Sequence, residues 1–122
     1  MKPARVLISI GFLLVYSLTA AAQIGQAPAK AEAKKNPFLG NDRAGQAGAK
    51  LYERECSSCH GAKGEGTKSG QPLAGGAIRS AAAGKVFWVL TNGSLRRGMP
   101  SFAHLPEARR WQIITFLQER LK

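Results

Sequence analysis

The chain has 122 residues, room for one small domain, and its 18 Lys and Arg against 7 Asp and Glu give a formal net charge of +11. No nucleic-acid-binding motif accompanies this charge, which argues against a nucleic-acid partner. The charge favours attraction to an acidic protein partner, or at most loose association with an anionic membrane surface. A surface that is positive only for solubility is the alternative.

The stretch 1–22 has the order of a secretory signal peptide. Lys2 and Arg5 precede an apolar run over 6–18, and Ala20 and Ala22 form an Ala-x-Ala cleavage site. Cleavage there would remove two positive charges and leave 23–122 with a formal charge of +9. An uncleaved membrane anchor is the alternative, but a span needs roughly 20 apolar residues. No cysteine follows the run to carry a lipid, so the sequence predicts a periplasmic protein that is not a lipoprotein.

Residues 23–40 are rich in Ala, Pro, Lys and Gln and contain little to bury, so they are predicted to form a flexible linker. The folded domain is predicted to occupy residues 41–122. Asn41 and Asp42 can cap a helix that runs from about residue 43 to residue 55. Glycine costs a helix about 1 kcal/mol relative to alanine, so Gly45 and Gly48 indicate that another backbone comes close.

Residues 56–60 read Cys-Ser-Ser-Cys-His and carry the chemistry of the chain. A thioredoxin-like pair, half of a zinc site and an ordinary disulfide are all alternatives. Zinc is poorly supported because the chain has only two cysteines and two histidines. A redox pair usually follows a buried strand, whereas residues 50–55 read as helix. The spacing favours covalent attachment of one haem, with Cys56 and Cys59 forming thioethers and His60 meeting the iron through Nε2. In an exported protein a cysteine pair without haem would tend to oxidise to a disulfide. Export therefore does not discriminate between haem attachment and a disulfide.

The remaining residues predict helices joined by long loops. Residues 61–76 hold six glycines and one proline, and a loop of this kind needs a fixed object to pack on. A helix is predicted over residues 81–91 with a stop at Asn92 and Gly93, and another from Pro106 to about Leu121. No strand alternation occurs, so the fold class is all-α, with three or more helices whose long loops wrap one covalently bound haem. Such a small core predicts that the haem-free chain is largely unfolded.

Two residues are candidates for the second axial position of a haem iron. Beyond the predicted leader, Met99 is the only methionine and His104 the only other histidine. Met99 lies in a Gly-Met-Pro loop far enough beyond His60 along the chain to reach the opposite face, so ligation is favoured over simple gap filling. His104 is interpreted as a surface residue, with bis-histidine ligation as the alternative. A thioether sulfur would raise the reduction potential and block the position where small ligands bind, leaving single-electron transfer.

On these motifs, residues from about 41 to 122 resemble the class I cytochromes c. The resemblance implies a cytochrome c-like fold with Cys56 and Cys59 as attachment residues, His60 as the proximal ligand and Met99 as the distal ligand. Further positions resemble the contact between the first and last helices of that family: Gly48, Tyr52, Ile113, Phe116 and Leu117.

The resemblance also implies residues of the haem pocket. Pro72 resembles the proline whose carbonyl accepts a hydrogen bond from the proximal histidine. Leu73 follows it directly and is placed in the same pocket. Trp88 is a candidate for the propionate region, with Arg79 or Lys85 as counter-charge. Core packing of Trp88 and simple solvation of the two charges are the alternatives.

The function implied is that of a periplasmic single-electron carrier, or of the small cytochrome subunit of an oxidoreductase, rather than an enzyme in its own right. The partners implied are redox proteins, a periplasmic dehydrogenase and a terminal oxidase, with acidic docking sites for a monomeric carrier. A haem-based ligand-binding or sensor protein with a weak Met99 bond is the alternative. A haem-free disulfide or thiol protein is the third hypothesis.

Overall fold

The computed structural model describes residues 23–122, so the predicted signal peptide lies outside the described residues. This part of the chain is helical, and its sole β pairing is a single bridge between Ser94 and Met99. None of the helices in this part is both long and apolar enough to cross a membrane. The predicted all-α class is confirmed.

Five α-helices and three further helical segments lie between Ala29 and Arg120. Helix α1 spans Asp42–Glu55, α2 Ser57–His60, α3 Gly76–Ser80, α4 Ala83–Asn92 and α5 Glu107–Thr115. Two 3-10 helices span Ala29–Ala33 and Leu95–Arg97, and a π-helical turn over Phe116–Arg120 continues α5. The sequence does not predict helix α3, which ends just before the helix expected over residues 81–91. Helices α3 and α4 are separate because Ala81 and Ala82 have extended backbone conformations.

Helices α1 and α5 cross in close contact. Asn41 caps α1 as predicted, since its side chain accepts a hydrogen bond from the Ala44 amide at 2.9 Å. A Cβ atom on Gly48 would lie 2.6 Å from the carbonyl carbon of Gln112 and 2.9 Å from the Cβ of Phe116. The predicted backbone approach is therefore confirmed at Gly48. Gly45 instead faces the flexible side chain of Arg120.

The core lies between α1, α4 and α5. Ile113 and Ile114 have no exposed surface, and the ring of Trp111 stacks on Phe87 of α4 with 4.2 Å between centroids. Phe102 and Leu105, from the loop before α5, close the same cluster. The loop that joins α4 to α5 is thus packed against the same apolar centre as the helices.

Residues 23–40, here called the N-terminal segment, pack against the domain, which differs from the flexible linker expected from composition. Ala27 is buried, and Gly84 of α4 lies so close that a Cβ there would touch the Ala31 carbonyl and lie 2.5 Å from the Lys34 carbonyl oxygen. Ile24 and Phe38 pack against the core, and polar partners far along the chain, which composition cannot reveal, add to the docking. These are Glu32 with Lys85 at 2.8 Å, Lys34 with Glu107 at 3.0 Å, and Asn36 with Thr115 at 2.9 Å.

Leu121, at the end of the π-helical turn, contacts the loop predicted over residues 61–76, here called the glycine-rich loop. A Cβ on Gly64 would lie 2.8 Å from the Cδ2 of Leu121, so the side chain of Leu121 covers the loop backbone. The guanidinium of Arg79 donates to the Leu121 carbonyl at 2.6 Å, and the Gln118 amide donates to two carbonyls of the α3 region at 2.9 Å. These bonds hold the C-terminal turn in place, and its Leu121 side chain in turn packs on the glycine-rich loop.

Candidate haem site

A cavity of about 790 Å³ opens between α2, the glycine-rich loop and the loop that contains Met99. Cys56, Cys59, His60 and Met99 all line it. Its volume falls within the range of about 300–1,000 Å³ that is usual for cofactor and ligand sites. A smaller apolar cavity of about 60 Å³ lies behind it and shares three of these residues. The structure thus brings together the four residues that the sequence singled out.

Helix α2 sets the positions of the two cysteines and the histidine. The amides of Cys59 and His60 both bond to the Cys56 carbonyl, at 3.2 and 3.0 Å, which makes one tight turn. Cys56 is buried, Cys59 is exposed, and the two thiols are not joined. Burial, with smaller effects of Glu55 and Cys59, raises the pKa of the Cys56 thiol to about 12.

The ring of His60 is held in one tautomer. Its Nδ1 lies 2.7 Å from the main-chain oxygen of Gln71. A carbonyl oxygen can only accept, so Nδ1 carries the proton and the Nε2 of the neutral ring keeps its lone pair for a metal. The nearby Gly70 leaves room for the ring, since a Cβ there would lie 3.1 Å from Nδ1.

The acceptor for the Nδ1 proton of His60 is not the carbonyl of Pro72 expected from the sequence. Pro72 does line the larger cavity, but the acceptor is the carbonyl of the preceding residue, Gln71. The loop register explains the difference. Pro72 packs against Gly66, where a Cβ would lie 2.8 Å from the proline nitrogen, and the Leu73 amide bonds to the Gly64 carbonyl at 2.9 Å.

Met99 is positioned by its backbone. Its amide and carbonyl exchange hydrogen bonds with Ser94, at 3.0 and 2.9 Å. Gly93 makes this possible, because its φ of +69° and the nearness of the Pro100 carbonyl carbon, 2.6 Å from a Cβ, both require glycine. The half-buried Met99 lines both cavities, whereas His104 is exposed and borders only the larger one.

Of the remaining predicted pocket residues, Leu73 lines the smaller cavity and Trp88 lines neither. Helix phase explains the position of Trp88. Val86, Val89 and Leu90 face the smaller cavity, and at 100° per residue position 88 points away from that side of α4. The proposed counter-charges are also engaged elsewhere, Arg79 with the Leu121 carbonyl and Lys85 with Glu32.

Gln71 and Gln23 are among the lining residues that the sequence did not indicate. Both line both cavities, and the side-chain amide of Gln71 donates to the Oε1 of Gln23 at 2.7 Å. The only signal for Gln71 is its place directly before Pro72. Gln23 belongs to a stretch whose composition predicts no fixed structure, so nothing in the sequence indicates it.

A helical fold in which Cys56, Cys59 and His60 line one cavity defines a class I c-type cytochrome domain. A family model described as cytochrome C oxidase, cbb3-type, subunit III matches residues 43–117, and the chain belongs to this family. Cytochromes c are haem-containing electron-transfer proteins.

Comparison with curated proteins and solved structures agrees with the family. The chain is 36% identical over 98 residues to the quinohemoprotein alcohol dehydrogenase ADH-IIG of Pseudomonas putida, a match that covers 75% of this chain and 12% of that protein. Cytochrome CL of Methylophaga aminisulfidivorans superposes with a TM-score of 0.61 at 25% identity, over 71% of this chain and 61% of that one. Cytochrome cL of Hyphomicrobium denitrificans gives 0.54 at 22%, over 86% and 68%, and shows the fold alone.

The residues present fit the haem that the family implies. Two unpaired thiols and an imidazole with a free Nε2 lie on one wall of the larger cavity, and a thioether sulfur lies on another stretch of its lining. Apolar side chains of the core, among them Ile78, Leu90 and Ile113, line the smaller cavity behind it. Soft sulfur and imidazole nitrogen are the donor types that hold haem iron.

Proposed function

We propose that this protein is a periplasmic single-electron carrier that holds one c-type haem covalently, with His60 and Met99 as axial ligands. The observation that carries the proposal is the convergence of Cys56, Cys59, His60 and Met99 on one cavity. When bound, haem supplies reversible one-electron chemistry at its iron.

Each of the four residues has a separate task. Cys56 and Cys59 would each form a thioether with the macrocycle. His60 would donate its Nε2 lone pair, with the ring orientation fixed by the bond from Nδ1 to the Gln71 carbonyl. Met99 would offer a neutral, soft sulfur that favours the reduced state and excludes exogenous ligands from the second face.

The proposed partners are a dehydrogenase as electron donor and an oxidase as acceptor. Similarity to part of a quinohemoprotein alcohol dehydrogenase supports the donor, and membership of a family described by a cytochrome c oxidase subunit supports the acceptor. The net charge supports brief docking of a monomer on acidic surfaces. The signal-peptide pattern over 1–22 supports a periplasmic location.

Covalent attachment is tested by denaturing electrophoresis followed by a haem stain, after expression in cells that mature c-type cytochromes. The wild-type band is expected to stain, because thioether bonds survive denaturation. The double variant Cys56→Ser, Cys59→Ser is expected to lose the stain, and Ser58→Ala in the same turn to keep it. An unstained wild-type band would contradict the proposal.

Axial ligation is tested by the optical spectrum and the potential of Met99→Ala. The oxidised wild-type protein is expected to show the weak long-wavelength band of a methionine sulfur bound to ferric haem, and the variant to lose it. Its potential is expected to fall by more than about 59 mV, which corresponds to a tenfold change for one electron. His104→Ala is the matched control and should retain both. Carbon monoxide binding to reduced wild type at neutral pH would support the ligand-binding alternative instead.

A further inference from the structure

A relay of two hydrogen bonds links the start of the N-terminal segment to the axial histidine. The Gln71 side-chain amide donates to the Oε1 of Gln23 at 2.7 Å, and the Gln71 main-chain carbonyl accepts from the Nδ1 of His60, also at 2.7 Å. Gln23 is only 8% exposed, although glutamine is usually a surface residue. One residue, Gln71, therefore couples Gln23 to His60.

Gln71 lies outside any helix or strand, so no regular hydrogen-bonding pattern fixes the direction of its main-chain carbonyl. The loop between α2 and α3 has no regular element, and the backbone bonds nearest to Gln71 join Thr67 to Gly70 and Leu73 to Gly64. Those bonds flank Gln71 on either side. The bond from its side chain to Gln23 ties the residue itself to a second part of the molecule, which limits rotation of the peptide that carries the acceptor oxygen.

The position of Gln23 is in turn determined by the docked N-terminal segment. The Gln26 amide bonds to the Gln23 carbonyl at 3.1 Å, and Ala27, one residue on, is buried. The ion pairs of Glu32 with Lys85 and Lys34 with Glu107 then hold the following turn against α4 and α5. The segment thus presents an acceptor oxygen to the proximal loop from a defined direction.

We infer that Gln23 is a positioning residue for His60, acting through Gln71, so that the N-terminal segment is a working part of the haem site. The inference rests on the proposed function, since it takes His60 as an axial ligand. A firm hydrogen bond from Nδ1 to a carbonyl increases the basicity of a ligating imidazole, which favours the oxidised iron. Loosening the relay should therefore raise the reduction potential and expose the Nδ1 proton to exchange.

The test measures the exchange of the His60 Nδ1 proton with solvent, by NMR of the reduced holoprotein, together with the potential. Gln23→Ala and Gln71→Ala are each expected to speed this exchange about tenfold and to raise the potential by up to about 59 mV, a tenfold change in the equilibrium constant. The double variant should change no further than either single variant, because the two side chains make one bond. Gln23→Glu keeps an acceptor oxygen and should restore wild-type exchange.

Gln26→Ala is the matched control, since Gln26 is an exposed residue of the same segment that lines neither cavity. Intact mass checks that every variant begins at the same residue. Unchanged exchange in Gln23→Ala, additive effects in the double variant, or a mature chain that lacks residue 23 would overturn the inference. A fall in potential would also overturn it, because water entry rather than positioning would then dominate. Failure of the proposed function is distinct, since wild type itself would then lack covalent haem or the methionine band.

Discussion

Gly48 is the residue on which the crossing of α1 and α5 depends. A side chain there meets the Gln112 backbone, which cannot move aside as a side-chain end can. Gly48→Ala is expected to destabilise the holoprotein by about 1–3 kcal/mol through overpacking, measured as a lower free energy of unfolding in urea. Gly45→Ala, one turn earlier and facing only the flexible Arg120 side chain, should stay within about 1 kcal/mol of wild type. Equal losses in the two variants would contradict this account.

Tyr52 links α1 to Gly61, the residue that follows His60. It is 2% exposed and donates to the Gly61 carbonyl at 2.7 Å. Burial, with smaller effects of Cys56 and Glu65, raises the pKa of Tyr52 to about 12 from its ordinary value of 10.0. Tyr52→Phe is expected to cost about 1–3 kcal/mol at pH 7, because the Gly61 carbonyl loses its partner.

The difference in unfolding free energy between wild type and Tyr52→Phe depends on pH because the pKa of Tyr52 is raised. The folded protein holds the phenol proton more tightly than the unfolded chain does. The contribution of the Tyr52 hydroxyl to the free energy of unfolding is therefore complete below pH 10 and is lost as pH rises towards about 12. The difference in unfolding free energy between wild type and Tyr52→Phe should therefore narrow between pH 10 and pH 12. A difference that stays constant over this range would argue against a raised pKa.

At the scale of single residues, the sequence predicts which reactive groups meet at the cavity better than it predicts the groups that hydrogen-bond to them. Cys56, Cys59 and His60 follow from a local spacing that one helical turn converts into geometry. The carbonyl that supports His60 depends on the register of a loop without regular structure, so the sequence favours Pro72 where Gln71 serves. Trp88 departs from expectation for a different reason, because its side of α4 is decided by which face packs on the core.

At the scale of elements, the N-terminal segment is the largest departure from expectation. Its residues have polar partners, such as Lys85, Glu107 and Thr115, that lie far along the chain, and Ile24 and Phe38 pack against the core. A stretch of sequence does not show such partners. The predicted helices at α1, α4 and α5, by contrast, carry their own end signals and periodic apolar faces, and they lie within a few residues of their expected bounds.

Gly84 provides the test for docking of the N-terminal segment. A methyl group at this position would displace the backbone of Ala31 and Lys34. Gly84→Ala is therefore expected to speed tryptic cleavage after Lys30, Lys34 or Lys35 about tenfold, which corresponds to about 1.4 kcal/mol of weakened docking. Gly76→Ala, where a Cβ meets open space, should be cleaved at the wild-type rate. A wild-type protein already cut rapidly at these lysines would contradict docking.

At the scale of the whole molecule, the excess of positive charge predicts how encounters respond to salt. The rate of electron transfer to a small anionic redox complex is expected to fall about tenfold as ionic strength rises from about 0.01 to 0.15 M, because the screening length falls from about 30 to 8 Å. Stopped-flow absorbance measures both this rate and that of a cationic complex, which should rise. The same salt response for both probes would show that the net charge does not steer encounters.

The haem itself is expected to stabilise the whole fold. Leu90, Ile113 and Leu117 form part of the core and also line the smaller cavity, so a core built around an unfilled site loses packing partners. The double variant Cys56→Ser, Cys59→Ser is expected to lose cooperative thermal unfolding in far-UV circular dichroism, whereas Ser58→Ala keeps it. A haem-free chain that melts cooperatively at wild-type helix content would contradict this prediction.

The seal that Leu121 places over Gly64 has a consequence for the order in which the protein matures. Gly64 and Leu121 lie far apart along the chain, so their contact forms only when folding brings them together. Cys56 is buried in the finished fold and accessible in the unfolded chain. Under the proposed function, covalent attachment of haem to both sulfurs is therefore expected to precede closure of the fold.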